Sequence, residues 1–125
     1  MIERSNDSAE PAPFEIAKRQ VDGAMVLSVS GEVDMLSAPQ LDEAIRSALA
    51  DGPAALIVDL TKVDFLASAG MTILVTAQAE VAPPTRFAVV ANGPATSRPI
   101  KLTGLDGVLS MYSTLDTALS RVTKG

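Results

Sequence analysis

The sequence predicts a single α/β domain built on a small mixed sheet, in the order β-β-α-β-α-β-α-β-α. Three observations carry this prediction. Short apolar runs alternate with stretches whose apolar residues recur at helical spacing, the pattern of strands joined by helical crossovers and so of a largely parallel sheet. The first two strands are separated only by Asp22-Gly23, too little chain for a crossover, which makes that pair an antiparallel hairpin. A chain of 125 residues with 47% hydrophobic content is the size of one ordinary domain with a sizeable core.

Residues 1–13 are polar and contain Pro11 and Pro13, which predicts a disordered leader ahead of a domain over residues 14–123. Phe14-Glu15-Ile16-Ala17 alternates apolar and polar, as a half-exposed strand does. Ala24 to Ser30 forms the second strand, and Gly31-Glu32-Val33-Asp34 closes it, leaving two carboxylates near its end. Ser37 with Gln40 has the spacing of a capping box, and Pro39 fits a first turn where its missing N–H has no partner to lose. The helix so begun carries Leu41, Ala44, Ile45, Ala48 and Leu49 as one apolar stripe. Asp42 and Glu43 sit early, toward the positive end of its dipole, and Asp51-Gly52-Pro53 stops it.

Ala55 to Leu60 is a nearly continuous apolar run, the mark of a strand buried on both faces. A second helix follows, with Met71, Leu74 and Val75 on one face and Pro83-Pro84 as its stop. Arg86 to Ala91 reads as a strand and Asn92-Gly93 as its turn. A short third helix starts near Ser97, has Ile100 and Leu102 as apolar contacts, and ends at Gly104. Leu109 to Tyr112 is the last strand. Ser113 caps a final helix with the stripe Leu115, Ala118, Leu119 and Val122, and with Arg121 and Lys124 at its C-terminal end.

Composition removes several functions. Net charge is −5, so no basic stripe is available for a phosphate backbone and direct nucleic-acid binding is not expected. The chain has no Cys and no His, which excludes thiol chemistry and removes the usual general base and the commonest metal ligand. No enzyme activity and no cofactor are expected. No apolar run approaches the length of a membrane span and the first residues are charged, so a cytoplasmic protein without membrane insertion is expected.

The stretch with most chemical promise is Val63-Asp64-Phe65-Leu66-Ala67-Ser68-Ala69-Gly70-Met71, where a strand gives way to a helix. Ser68 falls at the helix N-cap, and Ala69 and Gly70 are too small to screen the free N–H groups of the first turn. Those donors and the helix dipole favour an anion, so a phosphate on Ser68 has a place to sit. The plain alternative is a cap that contributes about 1 kcal/mol and nothing else.

Three segments in register carry a resemblance to a known family. Gly31-Glu32-Val33-Asp34 follows a strand, Leu56-Ile57-Val58-Asp59-Leu60 precedes Phe65-Leu66-Ala67-Ser68-Ala69-Gly70-Met71, and Leu102-Thr103-Gly104-Leu105-Asp106 precedes the last strand. In order and spacing they resemble the STAS domain in its bacterial anti-anti-sigma factor branch, over roughly residues 14 to 123. The resemblance implies a regulator that binds an anti-sigma factor serine kinase and frees a sigma factor until a hydroxyl at the start of the second helix is phosphorylated. The ATP belongs to the partner. The family pattern at that turn is Asp-Ser-Ser/Thr-Gly, modified directly before the glycine; here it reads Ala67-Ser68-Ala69-Gly70, so the acceptor position holds Ala69 and Ser68 is the hydroxyl left to carry phosphate. Thr61 and Thr72 are poorer acceptors, one before the turn and one inside the helix.

The implied partner surface is Asp34, Asp64, Leu66, Ala67, Ser68, Ala69, Gly70 and Met71. Phosphate brings about −1.5 to −2 charges, which Asp34 and Asp64 repel; both are equally readable as solvated loop carboxylates. A monomer or weak homodimer is expected. Two rival functions remain open: a STAS scaffold or accessory subunit of a transporter or signalling complex without a phosphoswitch, and a receiver-like domain phosphorylated on Asp59 with Glu32 and Asp34 as its acidic pair. A hydrolase built on Ser68 has no His for its base.

Overall fold

In the computed structural model, which describes residues 13–123, the chain opens with a tight hairpin. Strands β1 (Glu15–Val21) and β2 (Ala24–Val33) pair antiparallel outward from Val21 and Ala24. Asp22 and Gly23 between them both take positive φ, 52° and 86°. That is the primed turn whose twist matches the flanking strands, and Asp-Gly is one of the pairs that tolerates it. The leader expected over residues 1–13 lies outside the described residues except for Pro13, as does Lys124.

The chain continues through α1 (Ala38–Ala50), β3 (Ala55–Leu66), α2 (Ser68–Glu80), β4 (Arg86–Val90), α3 (Ser97–Leu102), β5 (Met111–Tyr112) and α4 (Leu115–Thr123). The sheet order is β1-β2-β3-β4-β5, with β2 through β5 parallel, so the mixed sheet expected from the sequence is the one observed. Alternation along central β3 divides the core. Leu56 and Val58 join Leu41, Ile45, Leu74 and Ile100 on the face covered by α1, α2 and α3. Ile57 joins Val26, Ala88 and Val90 on the other face, under Ala118 and Val122 of α4. Burial of each such large apolar side chain contributes about 1.5–3 kcal/mol.

Several elements depart from expectation, each for a local reason. Strand β3 runs on past Leu60 to Leu66 because Val63 and Leu66 stay buried while Thr61, Lys62, Asp64 and Phe65 face outward. Asp42 and Glu43 fall beyond the first turn of α1, and Asp42 instead pairs with Arg46 one turn on, at 3.1 Å. Leu102 is not a core contact of α3: it is 75% exposed, and Ile100 alone of that helix is buried. Thr114 rather than Ser113 caps α4, its Oγ1 accepting the Thr117 N–H at 3.1 Å.

The capping box expected at Ser37 does not form either. Ser37 is the N-cap of α1, but its hydroxyl makes no bond to the helix. It donates to the Glu32 carbonyl at 2.8 Å and accepts the Asp34 N–H at 3.0 Å. Asp34 Oδ1 in turn accepts the N–H groups of Ser37 and Leu36, each at 3.0 Å, and lies 3.2 Å from the Ser37 hydroxyl. Polar groups at the start of α1 are thus consumed in bracing the loop from β2. The Ser37 N–H bond foremost, helped by Leu36 N–H and the Ser37 hydroxyl and opposed by desolvation, holds the Asp34 carboxyl below the usual aspartate range.

The first turn of α2 lies close on the ends of β2 and β3. A Cβ on Gly70 would stand 2.5 Å from Val33 Cγ1 and 2.8 Å from Leu66 Cδ1, both on buried side chains. Gly70 is therefore required by close approach, rather than by any need to uncover the helix N–H groups.

Two outcomes are expected. Gly70→Ala lowers stability by up to about 2 kcal/mol in urea unfolding, because overpacking of about 1–3 kcal/mol is offset by only about 1 kcal/mol of helix propensity gained by alanine. The Asp34 contribution has the sign of a depressed carboxylate: it is complete above the ordinary aspartate range and is lost as pH falls through the lowered folded value. The difference in thermal midpoint between wild type and Asp34→Ala should therefore shrink on acidification, and a pH-independent difference would contradict the assigned bonds.

Candidate functional site

The corner between β3 and α2 is built from backbone outward. Ala67 N–H donates to the Val33 carbonyl at 2.8 Å, tying the residue before Ser68 to the last residue of β2. Ala67, extended at φ −83° and ψ 168°, is the N-cap of α2, and no side chain caps this helix. Ser68 is thus the first helical residue and not the cap that its position in the sequence suggests. The strand extends further than expected, and Ala67 alone makes the change from strand to helix. The N–H groups of Gly70 and Met71 both donate to Ala67 O, at 3.0 and 3.1 Å, leaving those of Ser68 and Ala69 unpaired among the described residues.

Helical rotation then sorts the side chains. Ser68 is exposed and Ala69 half-buried, whereas Gly70 and Met71 turn into the core. Of the three hydroxyls in this region, Thr61 donates to Asp59 Oδ1 at 2.8 Å and Thr72 to Ser68 O at 3.0 Å. Ser68 Oγ has no such partner among the described residues. The free N–H groups, the positive end of α2 and the outward hydroxyl share one spot on the surface.

The eight residues expected to meet a partner separate accordingly. Asp64 and Ser68 are exposed, and Asp34, Ala67 and Ala69 half-exposed. Leu66, Gly70 and Met71 are buried, Leu66 at 3% and Met71 at 8% exposure, which corrects the expectation that they make direct contact; they pack beneath the corner and shape it. Asp34 follows Val33 and so borders the Ala67 bond, with its Oδ1 bound to its own loop. Five large apolar side chains are exposed among the described residues, none of them expected to be: Met35, Leu36, Phe65, Leu102 and Val108. Met35 and Leu36 occupy the loop that Asp34 braces, and Phe65 is the penultimate residue of β3. Phe65 lay inside a recognised motif, but nothing in its sequence neighbourhood distinguishes an outward-facing strand position from an inward one.

The receiver-like arrangement is not present. Asp59 lies within β3 rather than at its end, opposite Ser28, and its Oδ1 accepts the Thr61 N–H and hydroxyl. Glu32 stands opposite Phe65, several residues away along the strand. Among the described residues no three acidic, His or Cys side chains group as a metal site would need. No helix among them is long and apolar enough to cross a membrane.

Comparison with known proteins agrees with this architecture. The family profile of the STAS domain matches residues 15–118. The anti-sigma-F factor antagonist RsfB of Mycobacterium tuberculosis is 44% identical over 115 residues, which span 92% of this chain and 94% of that protein. The crystal structure of an anti-sigma factor antagonist from Mycobacterium paratuberculosis superposes with a TM-score of 0.86 at 47% identity, covering 90% of this chain and 96% of the other. A Thermotoga maritima protein shares the fold alone, with a TM-score of 0.76 at 20% identity over 87% of this chain and 95% of its own. A profile match across most of the chain, a relative this close over nearly its full length, and the observed order of strands and helices agree: the chain belongs to the STAS domain family.

Proposed function

We propose that this protein is a cytoplasmic anti-sigma factor antagonist that binds an anti-sigma factor serine kinase, so releasing a sigma factor, and that phosphorylation of Ser68 ends the binding. The observation that carries this reading is the 44% identity to RsfB over 92% of the chain, across a domain whose β3–α2 corner exposes Ser68. The chain acts by contact and not by catalysis. The kinase brings its own ATP and transfers the γ-phosphoryl group to Ser68 Oγ, whose proton leaves with the kinase's base.

Phosphate at this position has opposing effects. The free N–H groups of Ser68 and Ala69 and the dipole of α2 favour it. Its charge and hydration oppose docking, because closing a partner over the corner strips water from an anion four residues along the chain from the exposed Asp64. The partner-bound state is the one that suffers desolvation, so phosphorylation weakens association without unfolding the domain.

A second reading follows from Ala69, which occupies the family's usual acceptor position. In that case the chain is an antagonist or scaffold without a phosphoswitch. Incubating the purified chain with each anti-sigma factor kinase of the same genome and ATP, then mapping the phosphosite and measuring binding, separates the two. Label on Ser68 is the expected result; binding without label favours the second reading, and absence of binding to every such kinase removes both antagonist readings. Ser68→Glu should weaken binding by about 10-fold or more, a cost of about 1.4 kcal/mol. Ser68→Ala should leave it nearly unchanged, since the hydroxyl has no hydrogen-bond partner among the described residues.

A further inference from the structure

At one edge of the sheet, the adjacent strands β4 and β5 run parallel but send the chain to opposite faces. Strand β4 leads into α3, whose Ile100 packs in the core beneath α1 and α2, and β5 leads into α4, whose Ala118 and Val122 pack on the other side. Among the described residues α1, α2 and α3 share one face, so the helical connections change face only here. Where neighbouring parallel strands part in this way a crevice opens beyond their carboxyl ends, and in open α/β sheets such crevices take ligands. The last bond between the two strands runs from the Ala91 N–H to the Tyr112 carbonyl, at 3.0 Å. Both residues line a cleft of about 440 Å³. Asn92 Nδ2 donates to the Ser113 carbonyl at 3.4 Å, linking the two loops that border it.

The cleft holds one charge of each sign, and neither is spent elsewhere. Lys101 of α3 and Asp106 of the helical turn Leu105–Gly107 both line it, yet they form no ion pair with each other or with another side chain among the described residues. The hydroxyls of Ser97 and Tyr112 belong to the same lining and have no hydrogen-bond partner among those residues. Met111 and the Tyr112 ring, both half-buried, add apolar surface.

We propose that this cleft binds a free α-amino acid with an apolar side chain, its carboxylate toward Lys101, its ammonium toward Asp106 and its side chain against Met111 and Tyr112. A single cation with a single anion suits a molecule that carries one charge of each sign. A nucleoside polyphosphate would bring several negative charges to one lysine and set them near Asp106, and a wholly apolar ligand would strip water from both charges without pairing either. Charge-assisted hydrogen bonds at both ends of the ligand fix its direction, and the free hydroxyls are donors for the carboxylate oxygens that Lys101 leaves unpaired. None of residues 67–71 lines the cleft, so the proposal stands apart from the antagonist reading.

The test titrates the full, isotope-labelled chain with leucine and with its two singly charged analogues, 4-methylpentanoate and 3-methylbutylamine, while backbone amide resonances are followed. Leucine should shift the amides of Gly93, Lys101 and Asp106 saturably, and each analogue should bind about 10-fold or more weakly. Lys101→Gln and Asp106→Asn should each weaken leucine binding by about the same factor. Their thermal midpoints without leucine should match wild type, since both side chains are exposed. No saturable shift with leucine, valine, isoleucine, methionine or phenylalanine overturns the proposal. Equal binding of leucine and its analogues makes the cleft an apolar patch and overturns it too. Leucine binding that both substitutions leave intact places the ligand elsewhere, and binding of inorganic phosphate in place of every amino acid assigns the cleft to anions; either result is fatal to the proposal.

Discussion

The contact on which the rest of this structure depends is the seating of α2 on the ends of β2 and β3. It has two parts: the Ala67 N–H bonded to the Val33 carbonyl, and Gly70 pressed against Val33 and Leu66 with no room for a methyl group. Together they fix both the place where the helix starts and its rotation. With Gly70, Met71, Leu74 and Ala77 all turned inward, a helix of 3.6 residues per turn places Ser68 well over a quarter-turn from their common direction, and so outward. The position of the hydroxyl is a consequence of packing underneath it, which is why a buried glycine two residues away matters to a surface serine.

A corner made of Ala67, Ser68 and Ala69 lets another backbone come close, but it offers little area. Small side chains bury little apolar surface, and at about 25 cal/mol per Å² they cannot supply the affinity that a regulator needs. The exposed apolar residues around the corner answer that deficit. Met35 and Leu36 are displayed by a loop whose polar groups are occupied with one another through Asp34 and Ser37, so the loop has little freedom left to lose on binding. On the proposed antagonist reading, the corner discriminates a charge while its neighbours provide the contact area.

Much of this was legible in the sequence, and the failures have a common origin. The hairpin, the order of elements and the buried central strand are set by local pattern, and Asp22-Gly23 or Ala55 to Leu60 could hardly be read otherwise. Ends of elements were less secure. Ser68 and Ser113 carry the right chemistry for caps, yet Ala67 and Thr114 hold those places, because sheet pairing and not side-chain preference decided where each strand let go. Ser37 did occupy its expected position, but its hydroxyl serves the loop instead of the helix. Phe65 and Leu102 were invisible as a pair since 37 positions of sequence separate them and only the fold brings them to one groove.

Asp34 shows how the same residue can be central without the role first given to it. A carboxylate near a phosphoserine suggests repulsion, and its charge does contribute to the local field. Its oxygen Oδ1, however, is committed to N–H groups of its own loop, and those bonds keep it ionised below the range where free aspartates protonate. Removing it would therefore loosen the display of Met35 and Leu36 before it relieved any repulsion at Ser68. Asp64, exposed and free of such bonds, is the better source of an electrostatic term that a partner could feel, and salt should screen it more than it weakens the bonds of Asp34. On the proposed antagonist reading, the electrostatic part of a switch at Ser68 thus belongs to the end of β3, and the mechanical part to the end of β2.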